Sequence, residues 1–210
     1  MAKVLIMHGW TNLRVEGNWH RYLATELRKR GHVVIYPQFP STNNPLLEDW
    51  QDLLIAELAQ LEEAGPGETI AIGHSLGCIN WIHAAAAGKI DHPIDRLLLV
   101  APADPDLLGE IKGLNANLSD QKVRAALHAS AKSITLVGSD SDPWSPRGIQ
   151  QTFGDPLGLQ AVILEGAKHL ALSDRSLVRR TSSSPRRLDL AFRLESSAGV
   201  LTVLCDVFVS

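Results

Sequence analysis

The sequence predicts an α/β protein with a mostly parallel sheet of about six strands and helices on both faces. Three observations support this. Short apolar runs alternate with helical segments along most of the chain, as in folds built from repeated strand–helix units. The apolar runs are continuous rather than alternating, which is typical of strands buried on both faces. One of these runs leads into a tight Gly-Ser turn and then directly into a helix-forming segment.

The six predicted strands are residues 4–7, 33–36, 69–73, 96–100, 133–137 and 160–164. The first helix is predicted over residues 19–30, because Trp19, Leu23 and Leu27 recur at helical spacing. Gly31 follows it as a stop signal. A long amphipathic helix is predicted over 46–63, another over 78–87, and a partly helical connection over 114–131. The crossovers between parallel strands should be right-handed.

The Gly-Ser turn has the sequence Gly73-His74-Ser75-Leu76-Gly77, which matches the pattern G-x-S-x-G. A strand precedes it and a helix follows it, which is the context that a nucleophile elbow needs. Glycines permit a strained turn that a Cβ atom would obstruct. A non-catalytic Gly-Ser turn would show the same five residues. The flanking strand and helix favour the functional interpretation.

Two further candidate groups follow later strands of the predicted sheet. Asp140 and Asp142 come after the fifth strand, and His169 comes after the sixth. In open α/β sheets, ligands bind beyond the carboxyl ends of the strands. The chain therefore presents a serine, an acid and a histidine in the order expected of α/β-hydrolases.

The sequence resembles the small single-domain α/β-hydrolases of the YdeN and retinoblastoma-binding serine hydrolase group. The resemblance covers roughly residues 3–172 and rests on His8-Gly9-Trp10, Trp19, the Gly73–Gly77 turn, Asp142-Pro143 with Pro146, and Gly166-Ala167-Lys168-His169-Leu170. It implies an α/β-hydrolase fold. The longest connection, residues 101–132, is only about thirty residues, so a large cap is not expected. The chain departs from the family at Lys168, where a small residue is common, and beyond about Ser173.

The chemistry expected of such a site assigns a role to each group. Ser75 is the expected nucleophile, because a serine hydroxyl with a neighbouring base can attack a carbonyl carbon. His169 is the expected general base and later general acid. Asp142 is the expected acid that orients the imidazole, since the family pattern places Asp four residues before a proline. Asp140 competes for that role, but we expect it to cap its own turn.

The remaining candidates surround the expected reaction centre. The backbone N–H of Leu76 and that of Trp10 are the expected oxyanion-hole donors. The Trp10 indole is also expected to wall the substrate pocket. Trp144 either lines the same cleft or only packs beside it. His8 is expected to brace the first loop, and His74 is taken as the variable position of the elbow.

Composition excludes several other classes of function. The net charge is −3, so nucleic acid and anionic membranes are not expected partners. Two cysteines do not form a disulfide framework, and no stretch reaches transmembrane length. With no signal peptide evident, a cytoplasmic location is expected. No cofactor or metal is expected, because no metal-ligand motif occurs. A protein partner cannot be inferred from the sequence.

The expected function is hydrolysis of small carboxylic esters through an acyl-enzyme, with amides or thioesters as other substrates for the same triad. The alternative is a non-catalytic interaction protein that retains the fold, because a fold alone does not establish function. We predict a hydrolase domain over residues 1–178 and an atypical tail over 179–210. That tail is rich in Arg and Ser and then apolar. Three interpretations of it remain: a basic binding patch, a flexible linker, or a changed reading frame.

Overall fold

In the residues that the structure describes, the sheet has six strands, and all of them are parallel. A computed structural model describes residues 1–14, 16, 18–109 and 117–170. Its strands are β1 (Ala2–Met7), β2 (Val33–Ile35), β3 (Glu68–His74), β4 (Ile94–Val100), β5 (Ala131–Ser139) and β6 (Ala161–Leu164). Their order in the sheet is β2-β1-β3-β4-β5-β6, and each neighbouring pair is parallel. All six predicted strands are confirmed.

Helices cover the sheet on both faces, as predicted. They are α1 (Trp19–Lys29), α2 (Leu47–Glu63), α3 (Leu76–Ala86), α4 (Gln121–Ser130) and α5 (Asp155–Leu157). Successive side chains of a strand point to opposite faces. Val4 and Ile6 of β1 therefore join one core with α1, whereas Leu5 and Met7 join a second core with α2 and α3. Burial of both faces explains why the strands are continuously apolar.

The crevice of the sheet lies between β1 and β3. The chain leaves β1 toward β2 on one side, and β3 lies on the other side, so the strand order reverses at β1. Such a reversal opens a ligand-binding crevice beyond the carboxyl ends of the two strands. Met7 at the end of β1 pairs in register with Gly73 near the end of β3. The segments that follow these two residues are therefore neighbours.

The connection between β4 and β5 contributes a helix to the outer layer. Its described residues form a 3-10 turn, Pro105–Leu107, and then α4. Helix α4 begins at Gln121, where Asp120 caps it by accepting the Lys122 N–H at 2.8 Å, and it lies within the stretch predicted to be partly helical. It packs against α3, and the Trp81 indole N–H donates to Ser130 Oγ at 3.0 Å. Residues 110–116 lie outside the described residues.

The predicted boundary at residue 178 and the whole 179–210 tail also lie outside the described residues, so they remain predictions. Within the described ranges, no helix is long and apolar enough to cross a membrane.

Candidate active site

Ser75 lies at a sharp turn between β3 and α3. Its backbone has φ 53° and ψ −118°, a conformation that L-residues rarely adopt. Two backbone hydrogen bonds hold this turn in place. The Ser75 N–H donates to the Val100 carbonyl at 3.0 Å, and the Cys78 N–H donates to the Ser75 carbonyl at 3.0 Å. These bonds to β4 and α3 hold the strained turn at Ser75, which lies between a strand and a helix as the sequence predicted.

Close backbone approaches explain the glycines around Ser75. A Cβ atom on Gly77 would lie 2.8 Å from the Met7 carbonyl oxygen, so glycine lets α3 pack directly against the end of β1. A Cβ atom on Gly9 would lie 2.7 Å from the Cβ atom of Ser75. The loop after β1 thus lies in direct contact with the nucleophile turn.

The structure brings Ser75, Asp142 and His169 together. Ser75 Oγ lies 2.9 Å from Nε2 of His169. On the other side of the ring, Nδ1 of His169 lies 2.9 Å from both carboxylate oxygens of Asp142. The Asp142 side chain is fully buried, while that of His169 is 15% exposed. Because a carboxylate accepts hydrogen bonds, the proton of a neutral His169 lies on Nδ1, which leaves Nε2 free to accept from the serine.

Asp140 does not contact His169. It is exposed, and its Oδ1 accepts the Gly166 N–H at 2.7 Å. Ser141 acts similarly, since its Oγ accepts the Lys168 N–H at 3.1 Å. The expectation that Asp140 binds nearby backbone within its own turn is thus corrected: its acceptor role is directed across to the loop after β6. Together these two side chains attach the histidine loop, residues 165–170, to the loop that carries Asp142.

The histidine loop is strained on both sides of His169. Lys168 has φ 51° and Leu170 has φ 52°, in the left-handed region that costs a non-glycine residue about 1–2 kcal/mol. Lys168 is also the position where the sequence departs from the family that it resembles. Backbone strain of this kind persists only where surrounding contacts hold the conformation.

His8 braces the first loop, as the sequence predicted. Its Nδ1 lies 2.8 Å from the Gly9 carbonyl, and its Nε2 accepts the Phe39 N–H at 2.9 Å. A carbonyl only accepts, so Nδ1 carries the proton of this neutral ring. Burial lowers the pKa of His8 from 6.5 to about 4, which keeps the ring neutral.

His20 and His74 form a buried pair behind the nucleophile, with ring centroids 4.9 Å apart. Nε2 of His74 lies 3.0 Å from the His169 carbonyl. Burial lowers the pKa of His74 to about 3 and that of His20 well below its usual value. Sequence reasoning treated His74 as a variable position and missed His20. The sequence signal that could have pointed to His20 was Asn18. An asparagine directly before a predicted helix is a typical N-cap, and it places His20 in the first turn, within reach of the Asn18 side chain.

A cleft of about 550 Å³ opens over Ser75. Its apolar lining residues are Trp10, Leu13, Ala103, Leu108 and Trp144, and its polar ones beside the triad are Thr11, Asn12, Asn18, His20 and His74. The Trp10 and Trp144 rings meet edge to face at 6.1 Å. Trp144 therefore lines the cleft and packs against Trp10, which is the first of the two alternatives left by the sequence.

Of the two residues expected to donate to an oxyanion, Trp10 lines this cleft, and Leu76 directly follows the lining residue Ser75. Leu76 is the first residue of α3, where N–H groups have no acceptor within the helix. Trp10 follows Gly9, which contacts the Ser75 turn. Within the described part of the chain, no three His, Cys, Asp or Glu side chains gather as a metal site.

Comparison with known protein structures shows the fold. The product of the ydeN gene of B. subtilis aligns over 100% of both chains with a TM-score of 0.67 and 20% identity. A YdeN-like hydrolase from Pectobacterium atrosepticum aligns over 80% of both chains, with a TM-score of 0.59 and 20% identity. The alignment with Est1E from Butyrivibrio proteoclasticus covers 79% of this chain and 78% of the Est1E chain, with a TM-score of 0.56 and 16% identity.

A search of curated proteins found no match. A family model described as serine hydrolase, however, matches residues 4–175. That range includes most of β1, the Ser75 turn, the Asp142 loop and the histidine loop. The match and the parallel sheet agree with the resemblance seen in the sequence. The chain belongs to the serine hydrolase family, and it has the α/β-hydrolase fold of its YdeN-like members.

Proposed function

We propose that the protein hydrolyses small carboxylic esters through an acyl-enzyme on Ser75, with His169 as base and Asp142 as the orienting acid. The observation that carries this proposal is the unbroken contact from Ser75 Oγ through the His169 ring to the buried Asp142 carboxylate. A serine next to an oriented imidazole is the arrangement that makes a hydroxyl nucleophilic.

The first half of the reaction forms the acyl-enzyme. Ser75 Oγ attacks the ester carbonyl carbon while its proton passes to Nε2 of His169. The carbonyl oxygen becomes an oxyanion, which the backbone N–H groups of Leu76 and Trp10 stabilise. Asp142 stabilises the positive imidazolium through its Nδ1–H. Nε2 then gives the proton to the alcohol oxygen as the carbon–oxygen bond breaks, and the alcohol leaves.

The second half releases the acid. A water molecule gives a proton to Nε2 of His169 and attacks the acyl carbon. The resulting intermediate collapses as the same proton passes back to Ser75 Oγ, and the carboxylic acid leaves. The free serine is thereby restored.

The cleft supports a small, uncharged substrate. Its walls combine two indoles with aliphatic side chains, and among its described lining residues none is Asp, Glu, Lys or Arg. Burial of a charged group against such walls would be costly. Est1E, a structural neighbour, is known with ferulic acid bound. We infer that acyl groups of modest size fit this site, with amides and thioesters as chemically related substrates. The intact contacts of Ser75 and His169 count against a purely non-catalytic module.

The experiment is labelling with a fluorophosphonate probe, combined with hydrolysis of p-nitrophenyl acetate and butyrate. The unsubstituted protein should be labelled at Ser75 and should release p-nitrophenol. Ser75→Ala should lose both, because loss of a triad member typically lowers turnover by several orders of magnitude. Ser119→Ala serves as a control for loss of an exposed hydroxyl away from the cleft, and it should keep the label. Equal hydrolysis by pure Ser75→Ala protein would refute the mechanism.

A further inference from the structure

The protonation pattern of His74 follows from its hydrogen-bond partner. Its Nε2 lies 3.0 Å from the backbone carbonyl of His169. A carbonyl oxygen only accepts hydrogen bonds, so Nε2 must carry the proton and donate it. Nδ1 of the neutral ring then carries a lone pair, and no described residue is its hydrogen-bond partner. His74 therefore contributes one directed N–H to the histidine loop.

Groups from two elements, α1 and the loop after β1, hold the His74 ring. Trp19 and His20 of α1 meet the ring edge to face, at centroid distances of 5.7 and 4.9 Å. Gly9 lies against it from the loop after β1, since a Cβ atom there would lie 3.3 Å from Nδ1 of His74. The His74 residue as a whole is only 4% exposed. The ring thus has little freedom to turn away from His169.

His20 is itself fixed by the cap of α1. Asn18 Oδ1 accepts the His20 backbone N–H at 2.9 Å and faces His20 Nδ1 at 2.6 Å. A backbone N–H only donates, so this Asn18 atom is the oxygen, and Nδ1 of His20 must also be a donor. The first turn of α1 is in this way connected through His20 and His74 to the backbone of His169.

The backbone of His169 requires such support. The residues on both sides of it, Lys168 and Leu170, have positive φ values that the chain adopts only under restraint. Asp140 and Ser141 restrain this loop before His169, at the Gly166 and Lys168 N–H groups. The His74 N–H restrains it at His169 itself. A rotation of that peptide would move the imidazole away from Ser75.

We propose that His74 is a positioning residue, which acts through His169 by donating its Nε2–H to the His169 carbonyl and so holds the base against Ser75. This proposal rests on the proposed function, because it assigns His169 the role of base. His74, which the sequence suggested was a variable position, thereby has a specific role in the site. His74 does not touch the reacting atoms in this scheme.

The test compares His74→Gln with His74→Leu. Glutamine can present an N–H near the place of Nε2, whereas leucine has a similar volume and no donor. Active enzyme is counted by fluorophosphonate titration, and kcat and KM are measured per labelled site. His74→Leu should lower kcat by about 10–100-fold, the scale of a misplaced catalytic group, with KM changed less than about threefold. His74→Gln should recover most of kcat. Exposed His92→Leu is the matched control and should equal the unsubstituted protein.

Equal kcat in His74→Leu and the unsubstituted protein would overturn the proposal. Equal losses in both His74 variants would also overturn it, because the donated hydrogen bond would then not be the cause. If His74→Leu fails to fold, ¹⁵N NMR of the unsubstituted protein decides: His74 should show a neutral ring protonated at Nε2 from pH 5 to 8. Protonation at Nδ1 would refute it. Absence of labelling at Ser75 would instead refute the proposed function and leave the NMR result standing.

Discussion

At the scale of single residues, chemically identical side chains differ by their surroundings. Asp140 and Asp142 are two positions apart in the sequence. The Asp142 side chain is fully buried and faces the His169 ring, while Asp140 is exposed and binds a backbone N–H. Both side chains contact the histidine loop, so the spacing of the two residues in the sequence does not assign their roles. Their partners assign the two roles.

Asp142→Asn should therefore lower kcat by about 10³–10⁴-fold, because an asparagine amide can donate to Nδ1 of His169 and stabilise the wrong tautomer. Asp140→Asn is the matched control. Its side-chain oxygen can still accept the Gly166 N–H, so kcat should change less than about threefold. Steady-state kinetics on an activated ester measure both. If the ranking is reversed, Asp140 is the orienting acid.

At the scale of elements, the site is an assembly of loops held by neighbouring strands. The loop after β1 touches the Ser75 turn through Gly9, and the histidine loop is attached to the Asp142 loop by two hydrogen bonds. The strand register places Met7 beside Gly73, which brings the loop after β1 next to the Ser75 turn. A small displacement of the loop after β1 should therefore move Ser75, and one of the Asp142 loop should move His169.

Gly9→Ala tests this coupling. The added Cβ atom would lie 2.7 Å from the Cβ atom of Ser75, so the loop that carries the Trp10 N–H has to shift. We expect kcat to fall by about 10–100-fold, since misplacement by about 1 Å costs this much. Gly109→Ala is a matched control, because its Cβ atom would approach nothing closer than 3.8 Å. Similar kcat values in the two variants, measured at saturating ester, would contradict the coupling.

At the scale of the whole molecule, buried neutral histidines link stability to pH. Burial lowers the pKa of His8 to about 4, that of His74 to about 3, and that of His20 well below its ordinary 6.5. The histidines also repel one another's positive charge, since His20 faces His74 and His74 faces His169. The unfolded chain takes up these protons near pH 6.5, whereas the folded chain does so only at much lower pH.

Stability should therefore fall as the pH drops from 6.5 toward 4, because the unfolded state then binds more protons. Each buried histidine can contribute up to about 1.4 kcal/mol per pH unit. His20→Phe keeps an aromatic ring between Trp19 and Tyr36 but removes one such group. The free energy of unfolding of this variant, from urea titrations at pH 7, 6 and 5, should depend less steeply on pH. Exposed His92→Phe should keep the original slope, and an unchanged slope for His20→Phe would contradict the linkage.

The sequence by itself determined the strands, the order of strands and helices along the chain, the Ser75 turn and the family. Apolar runs and the spacing of Trp19, Leu23 and Leu27 are local signals, and a G-x-S-x-G turn between strand and helix is read within a few residues. The identity of the candidate triad residues also came from the sequence, because each follows the carboxyl end of a strand. Helix α4 lies within the connection that was predicted to be partly helical, and the cap at Asp120 marks its start.

The tertiary structure alone decided which groups meet. The contact between His74 and His169 joins residues 95 positions apart, and the contact between Asp140 and Gly166 joins residues 26 positions apart. The left-handed backbone at Lys168 is likewise imposed by the contacts around it. Such interactions have no local signature, because they depend on strand register and on the packing of α1 against the sheet. Periodicity and propensity describe neighbours along the chain, whereas the contacts that hold His169 come from neighbours across the fold.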